Sequence, residues 1–198
     1  MIRAVVLTIV SVLVLAACGG DDGPTELTGF ERTPTPVVAE LSLPEVGVSD
    51  PFDFRADDGE LLVVYFGYTF CPDVCPTTLT DLRSALSDLG DDAERVSVAM
   101  ATIDPARDTD EVISGYLGHF VEDGHALRTD DDAELRGVVD VFGAEYAVEV
   151  ADDGAIEVAH TGSLYVVDDR GRLLLTWPFG TTVEDLGNDL ELLLDRSV

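Results

Sequence analysis

Two cysteines that follow directly on a continuous apolar run constrain this chain more than any other feature. Residues 61–66 read LLVVYF, a run without polar alternation that predicts a strand covered on both faces. Residues 76–89 carry leucine and alanine at helical spacing, and Cys71 and Cys75 lie between the two elements. The thiols are therefore predicted at the carboxyl end of a strand, where open α/β sheets carry their chemistry.

The spacing of the two cysteines favours a metal site over simple thiol exchange. Thioredoxin-type redox motifs place two residues between their cysteines, whereas three separate Cys71 from Cys75. Residues four apart lie within about 40° of each other around a helix axis, and the positive end of a helix favours thiolate. Two thiolates and one imidazole suit Cu(I), while zinc is an alternative that normally takes a fourth ligand. A structural disulfide is the third option, although so small a loop would stabilise the fold little.

An imidazole for such a site has to come from one of three histidines. His119 lies near the end of a predicted helix and His125 follows a glycine in a loop, which are ordinary surface positions. His160 directly precedes a strongly apolar strand, so its connection could lie beside the dithiol loop. Position alone leaves a metal ligand and an ordinary loop histidine equally open for His160.

The N-terminus indicates export and lipid anchoring. Residues 1–17 contain one arginine and an apolar stretch of about 14 residues, which suits a signal peptide and is short for a membrane span. The segment ends in LAAC at Cys18, which resembles the lipobox of bacterial lipoproteins, where the cysteine thiol carries a diacylglycerol. An ordinary secretory signal with a coincidental cysteine is the alternative.

The chain is accordingly predicted to have three parts. Residues 1–17 are a lipoprotein signal peptide, residues 18–36 a lipidated tether rich in Gly, Pro, Thr and Asp, and residues 37–198 the folded domain. Lipidation of Cys18 leaves Cys71 and Cys75 as the remaining pair of thiols. The expected location is the extracytoplasmic face of the cell membrane.

The charge of the chain excludes nucleic acid as a partner. There are 40 acidic residues against 11 basic ones, all of them arginine, which gives a net charge of −29. Such a surface repels nucleic acid and the anionic face of a membrane. A solvated acidic surface is the simpler interpretation, and attraction of cations or of a basic partner is the other.

The order of predicted elements indicates an α/β domain with a thioredoxin-like mixed sheet flanked by helices and with an extra hairpin. Residues 37–54 are interrupted by proline and glycine and predict only one or two short strands. The other predicted elements are strands at 61–66, 96–101, 125–128, 162–167 and 172–177, a hairpin at 146–150 and 156–159, and helices at 76–89, 109–120, 131–142 and 183–194.

Three motifs together resemble the SCO/SenC family of copper proteins. They are FGYTFCPDVCP at residues 66–76, IDPARDT at 103–109, and His160 ahead of a strand that ends in DDRGR. They occur in the family's order over nearly the whole domain. The resemblance implies a thioredoxin-like domain that binds copper, as Cu(I) or Cu(II), through Cys71, Cys75 and His160.

The same resemblance implies a role in the assembly of cytochrome c oxidase. The copper-bearing subunit of the oxidase would be the partner, and a further protein would be the upstream copper donor. The alternative from another class is a thiol–disulfide oxidoreductase, in which Cys71 and Cys75 form a redox-active pair that reduces the oxidase's copper-ligand cysteines or other exported thiols.

Two carboxylates are weaker candidates for a supporting role. Asp104 could orient Arg107 or a metal-site partner through hydrogen bonds, and Asp73 could touch Cu(II) as a harder ligand. Asp104 also suits a helix cap or a turn, and Asp73 a helix cap; the cap is the favoured interpretation for each. Trp177 ends a predicted strand and is expected to serve packing.

Overall fold

A computed structural model describes residues 26–196 of the 198-residue chain. The predicted signal peptide, the lipidation site Cys18 and the first part of the tether lie outside the described residues. Between residues 26 and 196, no helix is both long enough and apolar enough to cross a membrane.

The described chain alternates strands and helices close to the predicted order. A 3₁₀ turn, Gly90–Arg95, follows the first helix. The elements are β1 (Ser42–Leu43), β2 (Phe52–Asp53), β3 (Leu61–Gly67), α1 (Val74–Asp88), β4 (Val96–Thr102), α2 (Asp110–Leu117), β5 (His125–Leu127), α3 (Asp132–Phe142), β6 (Tyr146–Val150), β7 (Ile156–His160), β8 (Leu164–Asp168), β9 (Leu173–Trp177) and α4 (Val183–Arg196).

Five strands form the central sheet, in the order β5-β4-β3-β8-β9. Strand β3 pairs in parallel with β4, as β4 does with β5, whereas the β3–β8 and β8–β9 pairs are antiparallel. The mixed strand directions and flanking helices confirm the predicted fold class. The extra hairpin, β6–β7, forms a separate two-stranded sheet, and β1 and β2 form another small pair.

Strand β3 is the centre of the core, and all seven of its residues are buried. Phe66 packs edge-on against Phe142 of α3 and Tyr165 of β8, with ring centroids 5.2 and 5.9 Å away. Because neighbouring side chains on a strand point to opposite faces, Tyr65 lies on the other face, beside Cys75 and Thr78 of α1. The end of β3 therefore leads into the dithiol loop with an aromatic side chain on each face.

Packing of the N-terminal segment begins earlier than the predicted boundary at residue 37. The backbone N–H groups of Thr28 and Gly29 donate hydrogen bonds to the buried Asp189 carboxylate of α4, at 2.8 and 2.9 Å. Phe30 then pairs with Thr176 of β9 as an isolated bridge. Hydrogen bonds with the folded domain therefore begin at Thr28, within the predicted tether, where these donors help to satisfy a buried carboxylate.

Candidate metal site

The two predicted thiol ligands lie at the N-terminus of α1. Cys75 is in the first turn and fully buried, while Cys71 precedes the helix and is 9 % exposed. The backbone N–H of Cys75 donates a hydrogen bond to Cys71 Sγ at 3.3 Å. This bond supplies an acceptor for one of the unpaired N–H groups of the helix start. Both cysteines are free thiols, so a structural disulfide is not what holds the loop here.

The hairpin β6–β7 carries His160 to the same place. His160 ends β7, and its Nε2 atom lies 3.5 Å from Cys75 Sγ. The Nδ1 atom lies 3.1 Å from the Thr161 carbonyl oxygen, which only accepts hydrogen bonds, so Nδ1 carries the proton. In the neutral ring Nε2 then holds the free lone pair, the arrangement a metal-ligating imidazole needs.

The three side chains form one cluster of potential metal ligands. The donor atoms of Cys71, Cys75 and His160 all lie within 4.8 Å of one another. A metal bound at about 2.0 to 2.3 Å by two sulfurs and one nitrogen would hold its ligand atoms roughly 4 Å apart. The cluster therefore fits a three-coordinate metal ion with little adjustment. Two soft sulfurs and an imidazole suit copper better than the hard, oxygen-preferring cations.

The environment shifts the pKa values of the two thiols in opposite directions. Burial raises the pKa of Cys71, but hydrogen bonds from the backbone and thiol of Cys75, the backbone of Asp73 and the Tyr68 hydroxyl outweigh it, so the pKa is lowered overall. Burial raises the pKa of Cys75 to about 12. Cys71 is thus the thiol that ionises first in the metal-free protein.

Burial also keeps the imidazole ready to bind a metal. The pKa of His160 is lowered by burial, although hydrogen bonds with the backbone of Thr161 and Phe66 oppose the shift. The ring is therefore neutral at pH 7. His160 also borders an open groove of about 330 Å³ that is lined by residues 145–147 and 159–161.

Three tyrosines that sequence reasoning missed surround the cluster. The rings of Tyr65 and Tyr68 meet the His160 ring edge-on, with centroids 6.2 and 5.6 Å away. Burial raises the pKa of Tyr65, and the negative charge of Cys75 raises it further. Burial and the charges of Cys75 and Cys71 likewise raise the pKa of Tyr116 on α2. The rings of Tyr65 and Tyr68 therefore pack directly against the imidazole, and Tyr116 lies within electrostatic range of both thiols.

The two weaker candidates do not take the predicted capping role. Asp73 occupies the N-cap position of α1, yet within the described part of the chain its exposed side chain makes no capping hydrogen bond. Asp104 is 2 % exposed and pairs with the guanidinium of Arg107. Capping was the wrong interpretation for both side chains: the Cys71 sulfur serves the start of α1, and the hydroxyl of Thr109 caps α2.

Arg107 links the second motif to the dithiol loop. Its guanidinium carbon lies 4.9 Å from the centre of the Phe70 ring and 5.8 Å from that of Tyr68. Tyr68 in turn contacts His160. Asp104 therefore orients Arg107, as one of the two sequence interpretations proposed, and acts on the cluster only through it.

Asp108 is a further residue that the sequence did not single out. Its fully buried carboxylate accepts hydrogen bonds from the backbone N–H and hydroxyl of Thr69, at 3.0 and 2.5 Å, and from the Thr102 hydroxyl at 2.6 Å. These bonds join the loop that carries Cys71 to the end of β4. Its place in the IDPARDT motif was the available signal.

His119 and Trp177 take the predicted structural places, whereas His125, expected in a loop, begins β5 and is half-buried. His119 is exposed on the loop after α2. His125 pairs through Nδ1 with a carboxylate oxygen of Glu45 at 2.7 Å. Trp177 is buried, and its Nε1–H donates to Asp189 at 2.7 Å. None of the three is part of the ligand cluster found in residues 26–196.

Comparison with known proteins confirms the resemblance found in the three motifs. The model of the SCO1/SenC family matches residues 49–195, which is most of the chain and includes all three ligands of the cluster. This chain belongs to the SCO1/SenC family. As an SCO1/SenC protein it combines the family's fold with a Cys–Cys–His cluster that could hold a metal.

Relatives and solved structures of this family share the fold over most of their length. The chain is 32% identical over 158 residues to the SCO2-like protein of Rickettsia felis, covering 72% of this chain and 77% of the relative. The structure of Bradyrhizobium japonicum ScoI with copper bound is 29% identical, with a TM-score of 0.66, covering 77% of this chain and 96% of that one. Apo Sco1 of Thermus thermophilus is 28% identical, with a TM-score of 0.72, covering 89% and 99%.

Proposed function

We propose that this SCO1/SenC protein is a membrane-anchored, extracytoplasmic copper metallochaperone that helps to metallate the copper centre of cytochrome c oxidase. The observation that carries the proposal is the convergence of Cys71, Cys75 and His160 within 4.8 Å. The copper bound to the similar Bradyrhizobium ScoI supports copper as the cargo.

The ligand set suits an ion that has to be held and then released. Two thiolates bind Cu(I) as soft ligands, and the neutral imidazole of His160 adds a donor that also accepts Cu(II). Three ligands leave a coordination position free, so a thiolate or imidazole of the partner can bind the ion before these ligands let go. The ion then passes from one protein to the other without any change in its oxidation state.

The predicted lipid anchor supplies the location for this task. A signal peptide at residues 1–17 and acylation of Cys18 would hold the domain outside the cell membrane, on the side where the copper-bearing subunit of the oxidase would be met. An upstream donor protein would load the site there. Mass spectrometry of the protein purified from membranes tests the anchor directly, through the added mass of diacylglycerol on Cys18.

Copper titration of the reduced chain tests the binding site. We expect near-unit stoichiometry with Cu(I) and with Cu(II), loss of tight binding in Cys71→Ser and Cys75→Ser, and a large loss of Cu(II) affinity in His160→Ala. His119→Ala is the matched control, because that histidine is exposed and outside the cluster. Absence of copper binding by the reduced protein would overturn the proposal.

The oxidase itself provides the second test. In cells that lack this protein, we expect purified oxidase to contain less copper, and the wild-type chain to restore it. The His160→Ala chain should fail to do so while remaining folded and anchored. Full restoration by that variant would argue against copper transfer.

The unequal thiols favour one further function, thiol–disulfide reduction. The Cys71 thiolate would attack a target disulfide, form a mixed disulfide and expel one target thiolate, which takes up a proton. Deprotonated Cys75 would then attack Cys71 Sγ and expel the second target thiolate, leaving a Cys71–Cys75 disulfide. Two electrons pass to the target, and an external dithiol has to reduce the pair again. His160→Ala should leave this activity largely intact, which separates it from copper transfer.

A further inference from the structure

A groove of about 610 Å³ lies at the end of the sheet remote from the metal site. In the pairing of β3 with β8, Tyr65 at the metal end lies opposite Leu164, and Leu61 at the other end lies opposite Asp168. Asp168 and the turn after it line the groove. At about 3.3 Å per residue, the length of β3 separates the groove from the cysteines by roughly 20 Å.

The groove gathers an unusual share of the positive charge of this protein. Four of the 11 arginines line it, in a chain whose net charge is −29. Glu31, Asp168 and Asp169 also line it, so four positive groups meet three negative ones. The arginines are Arg32, Arg170, Arg172 and Arg196.

Most of the negative charge in the groove is already neutralised by bonding. Asp168 is buried and accepts hydrogen bonds from the backbone N–H of Arg170 and Arg172 and from the Arg172 guanidinium, at 2.6 to 3.0 Å. Asp169 accepts from the Gly59 N–H and lies 3.9 Å from the Arg170 guanidinium. Arg170 and Arg196 are exposed, and Arg196 has no ion pair within the described residues 26–196. The Arg196 guanidinium is therefore open to an anion, and that of Arg170 is exposed and held only by the long contact with Asp169.

We propose that this groove is a membrane-docking face, at which the guanidinium groups bind the phosphates of lipid headgroups. Guanidinium forks match phosphate oxygens in pairs of hydrogen bonds. Because salt screens charges beyond about 8 Å, binding of the groove to the headgroups depends on the arginines that line it. The acidic remainder of the domain is repelled from an anionic surface. The two effects together select one orientation of the domain.

The position of the N-terminal segment favours a bilayer as the occupant, and this argument rests on the proposed anchor at Cys18. Residues 31, 32, 33 and 35 of that segment line the groove, and Phe30 and Val37 beside it are 66% and 61% exposed. Exposed apolar side chains next to arginines are typical of surfaces that lie in the headgroup region. The eight residues from Cys18 to Glu26 span at most roughly 29 Å, which is enough for the groove to reach the bilayer.

Docking in this way would turn the metal site toward the partner. With the groove on the headgroups, Cys71, Cys75 and His160 face away from the bilayer, roughly one strand length above it. A copper centre carried on an extramembrane domain would be approached from that side.

Hydrogen exchange of the full chain in nanodiscs tests the proposal. We expect the amides of residues 31–35 and 168–172 to exchange more slowly in phosphatidylglycerol nanodiscs than in phosphatidylcholine ones. Each arginine near an anionic surface is worth about fivefold in binding, so Arg170→Gln with Arg196→Gln should lower the ratio of docked to undocked protein by roughly tenfold or more. Arg83→Gln with Arg136→Gln is the charge-matched control, since both arginines lie outside the groove.

The outcomes distinguish this inference from the proposed anchor. If Cys18 is not lipidated, the intact mass of the protein will show it. Binding to phosphatidylglycerol and to phosphatidylcholine is then compared by sedimentation of the same chain with vesicles of each lipid. The docking proposal would be overturned if the amides were equally protected in both lipids. It would also be overturned if the control variant lost as much docking as the groove variant. Equal protection by inorganic phosphate alone, or protection that requires another protein, would overturn it as well.

Discussion

The Sγ atom of Cys75 lies 3.5 Å from Nε2 of His160, although 85 residues separate them in the chain. Cys75 is fixed by the start of α1, and His160 by the end of a hairpin that is not part of the central sheet. Because β8 follows His160 closely and pairs with β3, the hairpin has to return to the carboxyl end of β3. The sheet itself therefore completes the ligand cluster.

The difference between the two thiols predicts ordered alkylation. In the reduced, metal-free chain, we expect iodoacetamide to modify Cys71 well before Cys75, because the pKa of Cys71 is lowered and that of Cys75 is raised to about 12. The alkylation rate at Cys71 should rise with pH and level off at a pH below the ordinary pKa of a thiol. The rate at Cys75 should stay low throughout this range. Peptide mass mapping against pH measures both rates, and equal rates at neutral pH would contradict the prediction.

Tyr65 is predicted to tune Cys75. The buried Tyr65 hydroxyl has no hydrogen-bond partner among the described residues while both cysteines are thiols. It nevertheless faces Cys75, and this contact lowers the pKa of the Cys75 thiol. When Cys75 is a thiolate, its sulfur can accept a hydrogen bond from the Tyr65 hydroxyl. Hydrogen bonds to charged groups are worth about 1.5–3 kcal/mol. Tyr65→Phe should therefore raise the Cys75 pKa and weaken Cu(I) binding by about tenfold.

The ring of Tyr65 remains in this variant, so its packing on His160 is preserved. Tyr165→Phe is the control, because Tyr165 is equally buried but packs against Phe66 and Phe142 on the other face of the sheet. Thiol titration at 240 nm and competition with a Cu(I) chelator give the two readouts. Identical shifts in both variants would assign the effect to general loosening of the core.

Asp108 is predicted to hold the dithiol loop. Asp108→Ala leaves the Thr69 N–H and the Thr102 hydroxyl without their buried acceptor, at about 1–3 kcal/mol for each lost partner. We expect the free energy of unfolding in urea to fall by about 2–4 kcal/mol. Asp110→Ala, at an exposed position two residues further, loses only a surface ion pair with Arg128 and should cost less than about 1 kcal/mol.

Asp73 is predicted to be dispensable for copper. Its side chain is exposed and lies outside the ligand cluster of the described chain, and the start of α1 is served by the Cys71 sulfur. Asp73→Asn should leave the Cu(I) and Cu(II) affinities and the melting temperature essentially unchanged. A selective loss of Cu(II) affinity in this variant would restore the carboxylate as a hard ligand.

Local patterns were sufficient to predict the elements that carry the site. The unbroken apolar run before Cys71 predicted β3, and the leucine spacing after Cys75 predicted α1. The hairpin predicted at 146–150 and 156–159 was equally readable, since Gly154 in its turn has a φ of 85° that suits glycine. These features depend on neighbours in sequence, which a sequence displays directly.

Contacts between distant segments could not be read in the same way. Nothing near Tyr65 or Asp108 in sequence shows that one faces a thiol and the other binds Thr69, because both contacts depend on how strands and loops assemble. The early packing of Thr28 and Gly29 was missed for the same reason: a polar, glycine-containing segment resembles a tether until its acceptor, Asp189, is placed.

Asp189 gives the domain a defined point of mechanical load. Its buried carboxylate holds the Thr28 backbone, the Thr28 hydroxyl, the Gly29 backbone and the Trp177 indole at once. A pull on the chain before Thr28 therefore enters the fold through α4 and the outer strand β9, two elements away from β3. Force on an anchored domain would strain this edge first, and the geometry of the cysteines would survive until the edge gave way.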